Sequence, residues 1–218
     1  MKISNSEFNG IGKQLILPFF KGTEKAPNNS LAGLSRVQRG LVRDALSSGS
    51  FDGKKGKRMS LWTPDCNIIL VGMGDKGSLD HKVARNTGAK LVASLSKKKG
   101  VVVTVRFTSG WTGERMLDFA EGMMLRDYEF LEHQEIPDGH IDEEWVVDFQ
   151  ASSRYQDLLS EKLESVRSVV GGVHLARDLG NEPANVPRGV AAMAEARGIE
   201  EVAMREAIRD NFRQLFGK

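Results

Sequence analysis

The chain of 218 residues contains a single cysteine, Cys66, and this scarcity excludes whole classes of protein. Because no second cysteine is present, a framework of internal disulfides is excluded, and so is a zinc finger built on cysteine ligands. Proteins without disulfides are typical of reducing compartments, so the composition predicts a cytoplasmic protein.

Long apolar runs are also lacking. No stretch of the sequence approaches the roughly 20 apolar residues that a membrane-spanning helix needs. The first residues, Met1 to Asn5, do not have the basic-then-apolar order of a secretory signal. The sequence therefore predicts no membrane partner, which agrees with the expected cytoplasmic location.

Recognisable catalytic constellations are lacking as well. The chain has no Gly-x-Ser-x-Gly sequence, which marks the nucleophile turn of many serine hydrolases. Its four histidines are His81, His133, His140 and His174. None of them is four residues from another, and none combines with Cys66 in a known zinc pattern. We therefore predict no catalytic residue, no metal ligand and no cofactor in this chain.

Charge is distributed unevenly along the chain, although the net charge is only +2. Residues 1–110 contain 19 Lys+Arg and 7 Asp+Glu, whereas residues 111–218 contain 12 and 22. A basic first half can indicate an anionic partner such as DNA, with basic clusters at 54–58 and 97–99 as candidate contacts. The alternative is that the two signs complement each other within the fold or between subunits.

Hydrophobic periodicity predicts strands that alternate with helices. Alternating or β-branched runs indicate six strands, at residues 2–8, 13–20, 58–62, 67–71, 101–107 and 144–149. Apolar residues three and four positions apart indicate helices at 31–46, 79–95, 113–130 and 155–179, and again after residue 187. This order predicts an α/β fold with a mixed, largely parallel sheet of about six strands flanked by helices. A long helix and a helical tail follow the sheet.

Two expectations concern the first two strands. Pro18 lies within the run at 13–20, and proline cannot donate a hydrogen bond to a neighbouring strand. It therefore predicts either an edge strand or the end of a strand. The segment at 2–8 is expected to pair with the run at 13–20, which follows it along the chain.

A Gly-x-Gly sequence follows the predicted strand at 67–71 and precedes a predicted helix. Gly72 and Gly74 would let the backbone approach a phosphate, and a helix N-terminus favours an anion. With Lys54 and Lys55 as nearby basic residues, these four form a candidate anion-binding loop. The motif is weak, and a tight turn between strand and helix without any ligand is the alternative.

Four longer motifs occur in a fixed order. Residues 51–56 are F-D-G-K-K-G, 69–74 are I-L-V-G-M-G, 121–130 are E-G-M-M-L-R-D-Y-E-F, and 176–186 are A-R-D-L-G-N-E-P-A-N-V. Together they resemble the leucyl (cytosol) aminopeptidase family, which has F-x-G-K-x-G, L-V-G-L-G, E-G-x-x-L-x-x-Y-x-F and A-R-D-L followed by N-E-P-A-N. The last block is the most specific of the four.

The last block also has a physical interpretation. The residues that match the family's linker motif are Arg177, Asp178, Asn181, Glu182, Pro183 and Asn185. We expect the helix to end at 179–180, with Gly180 in the left-handed conformation that often follows a helix. Pro183 prevents the helix from continuing, and the two asparagines can cap turns. The block is therefore expected to form a rigid joint between two units.

The resemblance implies more than the residues show. Family members have an N-terminal domain similar to macro domains and a catalytic C-terminal domain, and they assemble as hexamers. The catalytic domain holds two divalent metals, zinc or manganese, which polarise a peptide carbonyl and activate water to release N-terminal amino acids. The family's metal-binding sequence, N-T-D-A-E-G-R, is absent here, so no catalytic or metal-binding residue can be carried over.

The resemblance also suggests how the chain is divided. Residues 1–151 are expected to form the macro-like α/β domain, and residues 152–186 the interdomain helix and linker. Residues 187–218 would be a helical tail that begins a missing or altered C-terminal domain.

Three functions follow as hypotheses. The leading hypothesis is a non-catalytic N-terminal domain of a leucyl aminopeptidase-like metallopeptidase, serving subunit assembly and access to the active sites in a homo-oligomer. One alternative is a stand-alone module that binds nucleic acid or a nucleotide. Another is a regulatory subunit of an active aminopeptidase, docked through the stripe Met204, Ile208, Phe212 and Leu215. That stripe could equally fold back on its own chain.

Overall fold

Six strands and six α-helices follow one another in a computed structural model, which describes residues 1–8, 10–95, 102–130, 146–181 and 186–216. The strands are β1 (Lys2–Ser6), β2 (Gln14–Phe19), β3 (Arg58–Trp62), β4 (Asn67–Gly72), β5 (Val102–Arg106) and β6 (Val146–Gln150). The helices are α1 (Arg36–Ser47), α2 (His81–Val92), α3 (Gly113–Arg126), α4 (Gln156–Asn181), α5 (Val186–Arg197) and α6 (Glu201–Phe216). The predicted α/β class is confirmed.

The six strands form one mixed, mostly parallel sheet in the order β1-β6-β5-β2-β4-β3. All neighbouring pairs are parallel except β3 and β4, which are antiparallel. The expected pairing of the first two strands is wrong, because β1 pairs with β6 at one border of the sheet. Parallel strands need a crossover of about a dozen residues or more, and only residues 7–13 separate β1 from β2.

Pro18 lies in an interior strand, so the expectation of an edge strand is wrong. It is the next-to-last residue of β2, which confirms the alternative of a strand end. Met73 N–H donates to the carbonyl of Phe19, so the backbone groups of Phe19 point towards β4. Because backbone direction alternates along a strand, the backbone of Pro18 points towards β5. The pairing of β2 with β5 ends at Ile16. Pro18 therefore costs the sheet no hydrogen bond, because β2 and β5 are no longer paired at this residue.

Capping residues start the helices around the sheet. Ser35 and Gln38 form a reciprocal capping box at the start of α1, so this helix begins later than the apolar spacing predicts. Asp80 caps α2 by accepting from the Val83 N–H at 2.7 Å, and this hydrogen bond lowers the pKa of its carboxyl. The helices thus begin where side chains replace the missing backbone acceptors.

Each face of the sheet carries its own apolar core. One core lies under α2, α3 and α4 and includes Phe107, Trp111, Phe119 and Phe149. The other lies under α1 and includes Leu15, Leu17, Val42 and Phe51. Strands β2, β4 and β5 are buried almost throughout, as expected for parallel strands that are covered on both faces.

The chain divides into two compact units, Met1–Gly172 and Val173–Lys218. In the second unit, α5 and α6 bury Val190, Ala194 and Met204 against one another. A turn with Gly198 at a φ of +62° joins the two helices. Met204 therefore belongs to a small core of its own unit, whereas Ile208 is exposed, and the side chains of Phe212 and Leu215 lie outside the described part.

Candidate functional site at the carboxyl border of the sheet

Parallel strands bring their carboxyl ends to one border of the sheet, and this border is where open α/β sheets usually bind ligands. The neighbouring strands β2 and β5 continue in opposite directions, because the chain leaves β2 towards β4 and leaves β5 towards β6. Such a switch point opens a crevice in many α/β proteins. The loops that follow β2, β4 and β5 are therefore the first place to look for a site.

Aromatic side chains fill this crevice. The ring of Phe107, just after β5, lies 4.7 Å from that of Trp111 and 5.5 Å from that of Phe119. Phe20, just after β2, lies 6.3 Å from Trp111, measured between ring centroids. These rings are buried and meet mostly edge to face, an arrangement that stabilises aromatic clusters. Among the described residues, packed aromatic side chains thus occupy the switch point itself.

An open cavity of about 720 Å³ lies beside this aromatic cluster. Its lining consists of Lys76, Gly77, Leu79, Gly110, Thr112, Glu114 and Arg115. The first three residues follow β4, and the others lead into the N-terminus of α3. A side chain at Gly110, whose φ is +101°, would come within 2.7 Å of the Phe20 ring and 2.9 Å of Lys76 Cε. The glycine thus keeps the two loops close together.

The charges in this cavity partly neutralise one another. Glu114 lies at the positive end of α3, and its pKa is lowered because its carboxylate accepts from its own backbone N–H and from the Thr112 hydroxyl. Arg115 donates to Asp118 at 2.6 Å, while Lys76 is exposed. An incoming anion would meet Lys76 and Arg115, but it would compete with Glu114 for the helix N-terminus.

The predicted anion-binding loop contains a tightly interlocked pair of turns. Gly72 N–H donates to the Lys57 carbonyl at 2.7 Å, and Gly74 N–H donates to the Gly53 carbonyl at 2.9 Å. Met73 N–H donates to the Phe19 carbonyl, so all three amides of the loop are bound to the protein. These contacts favour the alternative of a tight turn between strand and helix. The binding of an anion here stays a prediction.

Two of the glycines in these turns have no room for a side chain. A Cβ on Gly72 would lie 2.0 Å from the Lys54 carbonyl oxygen, and a Cβ on Gly53, whose φ is +69°, would lie 2.3 Å from the Phe20 carbonyl oxygen. Gly77 completes a G-x-G-x-x-G spacing with Gly72 and Gly74, but nothing lies close to it. Gly53 and Gly72 are therefore explained by close packing, whereas Gly56, with a φ of +81°, has nothing within 4 Å of an added Cβ.

The lysines of the predicted loop lie at its surface. Lys54 Nζ is 3.0 Å from the Asp52 carboxylate and Lys57 Nζ is 3.4 Å from it. Hydrogen bonds from the side chain and backbone of Lys54 lower the pKa of Asp52 to about 2. Lys55 is exposed beside Gly74. The other basic run, at 97–99, lies outside the described residues.

A buried arginine is the polar feature that the sequence analysis missed. Arg106, at the end of β5, is fully buried, and burial lowers its pKa to about 10. Its Nε and one terminal nitrogen donate to Gln150 Oε1 at 2.8 and 2.6 Å. The other donates to the carbonyls of Ser30 and Ala32. A lone arginine in the apolar run V-V-V-T-V-R-F was the available signal, and its role here is to join the loop before α1 to the sheet.

Comparisons with known proteins identify the domain that carries these features. A sequence profile described as "Cytosol aminopeptidase family, N-terminal domain" matches residues 16–135, which is more than half of the chain. The chain belongs to the cytosol aminopeptidase family. The resemblance seen in the four sequence motifs is thereby confirmed.

Individual relatives support this assignment. A probable cytosol aminopeptidase of Bradyrhizobium sp. is 31% identical over 166 residues, covering 72% of this chain and 33% of that protein. One from Sinorhizobium fredii is 29% identical over 181 residues, covering 79% and 36%. The chloroplastic leucine aminopeptidase of Solanum tuberosum is 27% identical, covering 80% and 31%. The chain thus spans about a third of the length of these cytosol aminopeptidase relatives.

Solved structures of similar fold agree with the family. A tomato leucine aminopeptidase variant superposes with a TM-score of 0.63 at 21% identity, covering 90% of this chain and 41% of that one. The bottromycin maturation enzyme BotP, in complex with Mn, has a TM-score of 0.56 at 18% identity, covering 85% and 37%. At these identities the likeness shows the fold, which is that of the aminopeptidase N-terminal domain.

The family's linker motif falls at the end of α4 and just after it. Helix α4 continues through Asn181, so it includes Arg177, Asp178 and Gly180. The expected left-handed conformation of Gly180 is wrong, because the helix passes through this residue. The remaining motif residues, Glu182, Pro183 and Asn185, lie outside the described part of the chain.

The described residues do not fit the metal pair that the resemblance implies for the whole family. Within the ranges described above, no group of three or more His, Cys, Asp or Glu side chains is placed to hold a metal ion. Cys66 is buried, and burial raises the pKa of its thiol, which disfavours the thiolate that binds metals.

Among the helices that the structure describes, none is long and apolar enough to span a membrane.

Proposed function

We propose that this chain acts as the non-catalytic N-terminal domain of a leucyl aminopeptidase-like metallopeptidase, where it serves subunit assembly and access to the active sites. The observation that carries the proposal is the match of residues 16–135 to the family's N-terminal domain. Between 59% and 69% of the length of these relatives and similar structures lies outside the part that matches this chain. The removal of N-terminal amino acids from peptides belongs, in this proposal, to that additional part.

The proposal extends to metals, location and assembly. The BotP structure contains manganese, and we assign the family's two divalent metals, zinc or manganese, to the catalytic part. The relatives are named cytosol aminopeptidases, which supports a cytoplasmic location for this chain. A homo-oligomer, a hexamer by family resemblance, is the proposed assembly.

An activity assay tests the non-catalytic role. The purified chain is incubated with leucine p-nitroanilide and either Mn²⁺ or Zn²⁺, with the tomato leucine aminopeptidase as positive control. We expect no release of p-nitroaniline above the rate of the buffer with metal alone. A rate that increases in proportion to the concentration of the chain and is abolished by EDTA would contradict the proposal.

A mixing experiment tests the role in assembly. The tomato enzyme is denatured and refolded with or without an excess of this chain, and its mass is followed by light scattering. We expect the chain to change the distribution of assembled species. A chain that elutes alone, with the assembly of the enzyme unchanged, would contradict a role in assembly.

A second candidate function is the binding of phosphate groups, as in a nucleotide or in DNA. It is favoured by the cavity at the carboxyl border, where Lys76, from the segment after β4, and Arg115, at the N-terminus of α3, line the same space. Glu114 opposes this function, because it already occupies the helix N-terminus. We therefore rank the binding of phosphate groups below the aminopeptidase role.

Titration at low salt tests this second candidate, because electrostatic binding is strongest there. The chain is titrated with fluorescent ATP and with a labelled DNA duplex at about 20 mM and then at about 200 mM salt. Binding at the cavity predicts that Lys76→Glu weakens the interaction about tenfold or more, whereas Lys25→Glu, an equal charge change at another exposed site, has little effect. Equal effects of the two variants would exclude the cavity as the site.

A further inference from the structure

Strand β3 forms a border of the sheet whose outer side has no neighbouring strand in the described part of the chain. Thr63 N–H donates to the Cys66 carbonyl, and the Lys57 carbonyl accepts from Gly72 N–H. The backbone groups of the odd-numbered residues of β3 therefore point towards β4. Because successive residues of a strand alternate in direction, the N–H and C=O groups of Arg58, Ser60 and Trp62 point away from the sheet. These three residues are also the exposed ones of β3.

We propose that β3 pairs with β3 of a second copy of this chain, antiparallel, in the register that places Ser60 opposite Ser60. The three outward-facing residues are spaced symmetrically about Ser60. In this register Arg58 lies opposite Trp62 of the copy, and each such pair exchanges two hydrogen bonds. About six main-chain hydrogen bonds would form, using every outward N–H and C=O group of β3.

The side chains of β3 are complementary to their own copies. In the single chain, Arg58 Nη2 donates to the Lys90 carbonyl at 2.7 Å. On one face of the proposed dimer, Arg58 would lie beside Trp62 of the other copy, a pairing of a cation with an aromatic ring in which this hydrogen bond is kept or exchanged. Trp62 is 75% exposed in the single chain, so the pairing would cover an apolar surface that is now in water. A cavity of about 360 Å³ next to Ser60 and Trp62 leaves space around the ring.

The opposite face of β3 is complementary too. Met59 and Leu61 are half-buried against the core under α1. In the proposed register Met59 lies opposite Leu61 of the other copy, at the close spacing of a pair without hydrogen bonds. In this register the apolar side chains of Met59 and Leu61 lie opposite each other, and the two Arg58 side chains are not placed opposite one another.

A second copy fits this border better than an unrelated partner for one further reason. Exposed strands are usually protected from pairing by proline, charged side chains, a bulge or short length. Strand β3, with the sequence R-M-S-L-W, contains no proline and pairs regularly with β4 over all five residues, and its one charged residue, Arg58, lies opposite Trp62 in the proposed register. A twofold pairing closes on itself and so gives a dimer without further growth. The inference rests on β3 alone and is independent of the proposed hexamer.

Cysteine cross-linking tests the register. In the proposed dimer the two Ser60 Cα atoms are about 5.5 Å apart, a distance that a disulfide can span. The two Trp62 Cα atoms are about 14 Å apart, which is too far. With the 218-residue chain under mild oxidation, we expect Ser60→Cys to cross-link and Trp62→Cys to remain uncross-linked. Val37→Cys, at an exposed position of α1, measures random collisions, and the native Cys66 is buried.

Sedimentation velocity tests the association itself. We expect a concentration-dependent species of twice the basic mass, whether the starting unit is a monomer or a larger assembly. Ser60→Pro should abolish it, because the proline removes an outward N–H that the single chain does not use. Trp62→Ala should weaken it at least tenfold and serves as the second variant if proline disturbs β3, as judged by circular dichroism.

Three results would overturn the proposal. The first is a wild-type chain that keeps the basic mass at every concentration and forms no species of twice that mass. The second is cross-linking of Ser60→Cys at no more than the rate of Val37→Cys, or of Trp62→Cys at the same rate as Ser60→Cys. The third is a dimer that persists unchanged in both Ser60→Pro and Trp62→Ala, since its interface must then lie elsewhere.

Discussion

The carboxyl border of the sheet and its lateral border at β3 are built in opposite ways. At the carboxyl border, aromatic rings fill the switch point, and the glycine turns are bound to each other by their own amides. At β3, the backbone groups of three residues face outward and a tryptophan is largely exposed. Apart from the cavity lined by Lys76 and Arg115, the first border is closed by the chain's own contacts, whereas the second border is open in the described part of the chain.

This difference shows that a motif need not mark a binding site. The Gly72–Gly74 motif, which suggests a phosphate loop, lies at the closed border, where its three backbone N–H groups are bound to carbonyls of the protein. The open border has no motif at all. Its significance comes from the direction of the backbone groups, which depends on how β3 pairs with β4.

The largest expected effect comes from emptying the closed border. Trp111 is 1% exposed and contacts Phe20, Phe107 and Phe119. We expect Trp111→Ala to reduce the free energy of unfolding by about 3–5 kcal/mol, because it leaves a large cavity. Urea denaturation followed by circular dichroism measures the change. A loss below about 1 kcal/mol would mean that the aromatic cluster is loosely packed.

The next effect concerns the interlocked turns. In Gly72→Ala the new Cβ would clash with the Lys54 carbonyl at 2.0 Å, so we expect a loss of about 3 kcal/mol or more. Gly77→Ala is the matched control, because nothing lies within 4 Å of a Cβ at that position. The same denaturation experiment compares the two variants. Equal stabilities would contradict the interlocked arrangement.

Trp62→Ala makes the comparison sharpest, because it changes the same residue type at the open border. We expect the free energy of unfolding of the single chain to change by no more than about 0.5 kcal/mol, since the ring is mostly in water. Measurements at low protein concentration isolate this effect from association. A loss close to that of Trp111→Ala would show that the border at β3 is not open.

The smallest expected effect is electrostatic. The pKa of Asp52 is about 2 in the folded chain, below the usual value near 4. The folded chain therefore binds fewer protons than the unfolded chain between these values, so this carboxylate stabilises the fold above about pH 4 and ceases to do so as the pH falls towards 2. An NMR titration should show the low pKa of Asp52, and Lys54→Met should raise it. Lys25→Met, which removes an exposed lysine that is not among the partners of Asp52, should leave it unchanged.

Local patterns were enough to predict most of the elements. The β-branched run before Phe107 and the apolar spacing of α2 and α3 predicted the strand and the helices, because local sequence largely determines such periodicity. The predicted pairing of β1 with β2 was wrong, since pairing between parallel strands depends on contacts across the whole chain. The left-handed conformation predicted for Gly180 was wrong, because a glycine permits a helix to end without requiring it to end. The predicted domain borders at 151 and 186 stay predictions.

The candidate site was harder to predict than the fold. Gly72 and Gly74 were recognised from their spacing, but only their hydrogen-bond partners distinguish a packed turn from a phosphate loop. Arg106 was missed because its acceptors, Gln150 and the carbonyls of Ser30 and Ala32, are 44 to 76 residues away. The cavity lined by Lys76 and Arg115 also joins segments that are distant in the sequence.

By itself the sequence determined the α/β class, the lack of a disulfide framework, and, through four motifs, the aminopeptidase family. These properties depend on composition, on periodicity and on short strings of residues, all of which can be read along the chain. Only the tertiary structure decided that the amides of the glycine loop are bound to the protein, that Arg106 is buried, and that the backbone groups of Arg58, Ser60 and Trp62 point away from the sheet. Hydrogen bonds and burial depend on which distant segments meet, and this is settled only when the sheet has formed.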